Sequence, residues 1–237
     1  MKTYPALVVA LDFPETAQAL ALASSLQGVV PWVKVGLELY LNSGQELVAR
    51  LKDMGFKVFL DLKFMDIPNT VQAATAQATR MGVDMLTIHA LGGRAMCEAA
   101  AAGRAQGLAP GQASPLILAV TLLTSLGSKD LAWNPDATEA DLRDLTVYLA
   151  QSAQNWKLDG VVCSGREVRD IRQACGASFQ LLTPGIRLPD ADCGDQSRVC
   201  TPAQAARDGS DYLVVGRPIT RSDNPVQAAR NYLKTIT

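Results

Sequence analysis

Asp61, Lys63 and Asp66 crowd two carboxylates and an ammonium into six positions of the stretch DLKFMDIPNT. The stretch closes an apolar run, Lys57-Val58-Phe59-Leu60. Residues i and i+2 of a strand share a face, so Asp61 and Lys63 are expected to point the same way, with Leu62 on the opposite side. Pro68 disfavours helix at Ile67 and suits the first position of a helix, which leaves Asp66 in a turn. Groups of these types serve proton transfer and electrostatic stabilisation. Charges crowded at the end of a buried strand cost desolvation free energy, so a fold usually keeps them for chemistry. The alternative for this spacing alone is a solvated ion pair at a strand end, which is worth little.

The elements that must position these groups are legible as an alternation. Short aliphatic or β-branched runs recur at Ala6–Leu11, Trp32–Gly36, Lys57–Leu60, Met85–Ile88, Leu116–Thr121, Gly160–Cys163, Phe179–Leu182 and Tyr212–Val215. Between them lie Ala- and Leu-rich segments with helical spacing, among them Thr16–Leu26, Gln45–Met54, Val71–Met81, Arg94–Gln106, Glu139–Asn155 and Ala203–Arg207. Gly28, Gly55, Gly82, Gly176 and Gly209 each stand just past a helical run, where glycine ends helices. Continuous apolar strands separated by helices indicate a parallel sheet buried on both faces. Eight such strands in 237 residues favour a closed (β/α)8 barrel over a doubly wound sheet. No linker, charge block or low-complexity tract divides the chain, so residues 1–237 are expected to form one domain, with Pro110–Pro115 a loop inside it.

Composition narrows the class. Hydrophobic residues make up 48% and charged residues 19%, as in a globular protein with a large core. A net charge of −1 gives no basic footprint for nucleic acid, and Trp32, Trp133 and Trp156 show no stacking arrangement for bases. Cys97, Cys163, Cys175, Cys193 and Cys200 form no C-x-x-C pair and read as reduced thiols, in the core or incidental at the surface. The N-terminal apolar run is too short for a signal peptide, and no run approaches the ~18 apolar residues of a membrane span. The Ala-rich stretch Ala99–Ala105 reads as a helix packed on the barrel. A cytoplasmic protein is expected.

In a (β/α)8 barrel the active site lies at the C-terminal ends of the strands. Asp12, Lys34, Asp61, Lys63, His89, Thr124, Ser125, Gly185, Arg187, Gly216 and Arg217 all fall in or just past those ends. The segment Val214-Val215-Gly216-Arg217-Pro218 resembles a phosphate site: glycine admits a close backbone approach, arginine offers a bidentate fork, and proline suits a helix start. The preceding strand supplies Thr183-Pro184-Gly185-Ile186-Arg187 and a loop containing Gln196. Ordinary turn glycines are the alternative, and the position after the last strand favours phosphate. His89, the only histidine, excludes a His-based metal cluster and reads as a structural hydrogen bond.

Taken together, DLKFMDIPNT, Ala10-Leu11-Asp12, Val33-Lys34-Val35-Gly36, Leu123-Thr124-Ser125, Thr183-Pro184-Gly185-Ile186-Arg187 and Val215-Gly216-Arg217-Pro218-Ile219-Thr220 resemble the orotidine 5′-phosphate decarboxylase family over essentially the whole chain. Met65 stands where many members carry histidine, with the flanking charges intact. The resemblance implies decarboxylation of orotidine 5′-monophosphate to UMP, the last step of UMP synthesis, without cofactor or metal. It implies that Lys63 stabilises a ring carbanion and protonates it, with Asp61 and Asp66 flanking the ammonium. Asp12 and Lys34 resemble ribose-binding groups, and Ser125, with Thr124 beside it, the reader of the pyrimidine amide. Arg187, Gln196, Gly216 and Arg217 resemble a phosphate grip. The resemblance also implies a homodimer in which Asp66 and Thr70 reach the partner's site. Related barrels acting on sugar phosphates with magnesium share Asp-x-Lys-x-x-Asp, but carry an acid where this chain has Lys34, which would repel a metal ion. A silent nucleotide-binding barrel is the remaining alternative, and retention of Asp61, Lys63 and Asp66 argues against it.

Overall fold

The computed structural model describes residues 4–131, 134–189 and 199–236. Eight parallel strands close into a barrel in chain order. They are β1 (Ala6–Ala10), β2 (Trp32–Gly36), β3 (Lys57–Phe64), β4 (Met85–His89), β5 (Leu116–Val120), β6 (Gly160–Val162), β7 (Gln180–Thr183) and β8 (Tyr212–Val215). The helices outside them are α1 (Thr16–Leu26), α2 (Leu37–Asp53), α3 (Pro68–Arg80), α4 (Gly93–Gly107), α5 (Glu139–Asn155), α6 (Val168–Cys175), α7 (Pro202–Asp208), α8 (Arg217–Thr220) and α9 (Pro225–Ile236). This is the (β/α)8 barrel expected from the alternation of strands and helices.

Most boundaries agree with the sequence reading to within three residues, and two differ by more. Strand β3 runs past Leu60 to Phe64, so Asp61 and Lys63 lie within it. Helix α2 begins at Leu37 and is interrupted at Gly44 (φ 60°, ψ −153°); the Gln45–Met54 periodicity captures its second part.

Two apolar layers follow from strand alternation. One side chain in two points into the barrel, where Val8, Phe59, Met85, Leu118, Leu182 and Val214 pack together. The others, such as Leu7, Val33, Leu60, Leu86 and Val161, meet the helices. At the N-terminal end the Trp32 and Tyr212 rings meet edge to face, 5.4 Å between centroids, with Lys57 Nζ 5.4 Å from the Trp32 ring. Cys97, Cys163 and Cys175 are buried, and Cys200 is partly exposed.

A repeated device braces that same N-terminal end. Asp84, Asp159 and Asp211 each directly precede an even-numbered strand. Each carboxylate accepts the backbone N–H of the preceding odd strand: Val58 at 2.8 Å, Ile117 at 2.7 Å and Leu181 at 2.7 Å. Each also pairs with a cation from the helix just before that odd strand. Lys52 lies 2.6 Å from Asp84 and Arg172 2.7 Å from Asp211, and Arg104 pairs with Asp159. A carboxylate that satisfies a strand-end N–H and a cation at once ties strand, strand and helix together. The corresponding position before β2 is Pro31, which has no carboxylate.

Among the described residues no helix is long and apolar enough to cross a membrane.

Candidate active site

At the C-terminal end of the strands the inward register switches from apolar to charged. Lys34 follows Trp32 on the inner face of β2, and Asp61 follows Phe59 on that of β3. Lys34 donates to Asp12 Oδ1 at 2.8 Å and stands 3.6 Å from Asp61 Oδ2. Lys63 Nζ lies 2.9 Å from the same Asp61 oxygen. The result is an alternating chain, Asp12, Lys34, Asp61, Lys63, which begins at an exposed carboxylate and passes through two buried groups.

Burial opposes the charge of Lys34, but Asp61 and Asp12 outweigh it and hold its pKa above the ordinary lysine value. Burial also opposes ionisation of Asp61. Lys34, Lys63 and the Thr87 hydroxyl outweigh it and keep the carboxyl below the ordinary range. The stabilisation from this pair is therefore complete between about pH 4 and pH 10, the unfolded-state values of the two groups. It is lost as pH falls through the lowered pKa of Asp61 or rises through the raised pKa of Lys34.

Asp61 and Lys63 do meet, as expected from the sequence, and Leu62 packs outward against the helices. Plain strand geometry is not the reason. Lys63 adopts φ 54°, in the left-handed region, and the β3–β4 register shifts between Leu60 and Phe64. Thr87 on β4 fills the gap: its hydroxyl donates to Asp61 Oδ1 at 2.9 Å and accepts the Lys63 N–H at 3.0 Å. Thr87 was not singled out from the sequence. The signal that finds it is parity, because Met85, Thr87 and His89 share one face of β4.

The chain of charges forms one wall of a cavity of about 440 Å³, within the range of small-molecule sites. Arg187, Gly216 and Arg217 also line it; Gly216 follows β8, the neighbour of β1, and a Cβ there would lie 3.9 Å from Asp12 Oδ2. Thr124 and Ser125 line it from the loop after β5, and Val120, Val162, Leu182 and Val214 form an apolar floor. Four cationic side chains (Lys34, Lys63, Arg187, Arg217) and two carboxylates (Asp12, Asp61) face the cavity, an excess of positive charge suited to an anion. Arg187 is buried beside the strand-seven turn, where its backbone N–H donates to the Cys200 carbonyl. Gln196 lies outside the described residues.

Asp66 and Thr70 do not line this cavity. Asp66 is exposed in the β3–α3 turn, and its carboxylate accepts the N–H of Ile67 at 2.7 Å. It makes no ion pair with Lys63 of its own chain. Thr70 is exposed on the first turn of α3. That helix is seated tightly by α4: a Cβ on Gly103 would lie 2.2 Å from the Gln72 carbonyl oxygen, and one on Gly107 2.3 Å from that of Ala76. Glycine is required there because the two backbones touch. The Ala-rich helix thus sets the position of the arm that carries Asp66 and Thr70.

His89 ends β4, and its Nδ1 is buried without a hydrogen-bond partner among the described residues, so the structural hydrogen bond expected from the sequence is not formed. Burial and then the Lys63 charge hold its pKa below the ordinary value, which keeps the imidazole neutral at pH 7. Among the described residues no three His, Cys, Asp or Glu side chains converge as metal ligands.

Known proteins resemble this chain in sequence and fold. An orotidine 5′-phosphate decarboxylase of Maridesulfovibrio salexigens is 53% identical over 225 residues, 94% of this chain and 95% of the relative. One of Alcanivorax borkumensis is 46% identical over 231 residues, 97% of each chain. The crystal structure of orotidine 5′-phosphate decarboxylase from Lactobacillus acidophilus superimposes with a TM-score of 0.85 at 36% identity, covering 99% of both chains. The family model described as "Orotidine 5'-phosphate decarboxylase / HUMPS family" matches residues 5–232. This chain, with its charged strand ends and barrel, belongs to that family.

Proposed function

We propose that the chain, acting as a single catalytic domain in the cytoplasm, decarboxylates orotidine 5′-monophosphate to UMP and CO2 without cofactor or metal. The observation that carries this reading is the alternating chain of Lys34, Asp61 and Lys63 in one cavity with Arg187 and Arg217. Arg187, Gly216 and Arg217, with Gln196, take the phosphate, and Asp12 and Lys34 take the ribose hydroxyls. Ser125 reads the pyrimidine amide, with Thr124 beside it. The C6–carboxylate bond breaks, CO2 departs, and its electron pair stays on C6. The Lys63 ammonium stabilises that pair and gives it a proton, and the neutral amine regains one from solvent. No electron sink is needed if the charge develops beside a preorganised cation.

The reading is tested by following the ultraviolet loss of orotidine monophosphate before and after exhaustive EDTA treatment. Turnover is expected to survive EDTA, since Lys34 stands where a cation would have to approach Asp61. Activity that disappears with EDTA and returns with Mg²⁺ favours a sugar-phosphate barrel of the same family instead.

A homodimer with shared sites belongs to the same proposal. Leu37, Leu41, Met65, Ile67 and Leu91 are exposed at the C-terminal connections of β2, β3 and β4, Leu41 by 83%, and a soluble monomer rarely leaves such a cluster bare. Asp66 lies among them, turned from its own Lys63 and available to a partner's. Lys63→Ala and Asp66→Ala homodimers are each expected to be nearly inactive. After verified subunit exchange, half the dimers are mixed and each has one site of wild-type composition, so up to roughly a quarter of wild-type activity should return. No recovery would place Asp66 in its own chain's site.

A further inference from the structure

Between the paired residues Leu60↔Leu86 and Phe64↔Ile88, three residues of β3 face a single residue of β4, Thr87. Bulges of this kind re-aim a side chain and leave a strand N–H without its ladder partner. Lys63 occupies this bulge in the left-handed region, which residues other than Gly, Asn and Asp rarely adopt. Thr87 is fully buried, and its one hydroxyl works in both directions. A backbone N–H can only donate and an ionised carboxylate can only accept, so the hydroxyl must accept from Lys63 and donate to Asp61. By occupying Asp61 Oδ1 it leaves Oδ2 to both ammonium groups.

We propose that Thr87 is a positioning residue for the reacting lysine: its hydroxyl holds the Lys63 backbone in the bulge and turns Asp61 so that the ammonium is aimed into the cavity. Thr87 itself does not line that cavity, so its action on substrate passes through Lys63 and Asp61. The assignment deepens the decarboxylase reading and rests on it. Loss of the hydroxyl should therefore weaken the chemical step while sparing ground-state binding, which is carried by the phosphate and ribose contacts.

Thr87→Val keeps the shape and removes the hydroxyl, and Thr87→Ser keeps the hydroxyl. Valine is expected to lower kcat on orotidine monophosphate by about 10- to 100-fold with KM within about threefold, the effect of leaving a buried charged partner unsatisfied. Serine is expected to stay within about threefold of wild-type kcat. A valine variant with wild-type kcat, a loss carried by KM, or a serine variant as impaired as valine would each overturn the assignment. A second measurement needs neither turnover nor a folded valine variant. Amide exchange in the wild-type protein should show the Lys63 N–H strongly protected, and exchange as fast as the Met65 amide in the following turn overturns the proposal. Wild-type protein that leaves orotidine monophosphate untouched while the Lys63 amide is protected refutes the decarboxylase reading but not the bulge geometry.

Discussion

Alanine in place of Lys63 is expected to remove at least ~10⁴-fold of turnover while the barrel stays folded, since proton donation contributes ~10²–10⁴-fold and one preorganised donor ~10²–10³-fold. Lys63 is partly exposed on the rim and belongs to neither apolar layer. Its removal leaves Asp61 paired with Lys34 and hydrogen-bonded to Thr87, so no buried carboxylate is stranded. Single-turnover assays on orotidine monophosphate, with circular dichroism to verify the fold, separate the two effects. Turnover within tenfold of wild type in a folded variant would remove Lys63 from the role of proton donor.

The second large effect concerns Arg217, after β8 on the rim of the same cavity. Arg217→Ala removes a charge-assisted fork from the proposed phosphate grip. Two such bonds at roughly 1.5–3 kcal/mol each correspond to a loss of about 10²–10⁴-fold in kcat/KM. Part of that loss should appear in kcat, because remote binding energy can organise the charged wall. The decisive comparison uses the nucleoside orotidine, which has no phosphate to lose. The Arg217→Ala penalty should shrink to near unity on orotidine, and an equal penalty on both substrates would contradict phosphate recognition by this loop.

The barrel was legible because each strand is a short apolar run set off by glycine or polar residues, and buried parallel strands require that pattern. Trp32–Gly36 and Tyr212–Val215 agree with the structure at both ends. Strand β3 does not, because Asp61 and Lys63 interrupt its apolar run and hide the extension to Phe64. Helix α6 was legible only through the glycine that ends it, Gly176, because Val168, Ile171 and Cys175 are its only buried residues. The charged chain was readable from spacing and strand ends. Thr87 was not, since a threonine inside a strand looks like ordinary β propensity until the opposite strand is known to bulge. The aspartates at the foot of the barrel were equally hidden, because an aspartate ahead of a strand reads as a turn.

The placement of those three aspartates divides the barrel into four two-stranded panels, with ion pairs bolting the feet of the panels β3–β4, β5–β6 and β7–β8. The fourth, β1–β2, has Pro31 in the place of the bolt, and it is the panel that carries Asp12 and Lys34. At its upper end the Lys34–Asp61 contact joins it to its neighbour. The groups proposed to grip ribose therefore double as the latch on the least braced quarter of the wall. A substitution at that latch therefore answers to two demands, what the site must hold and what keeps the wall closed.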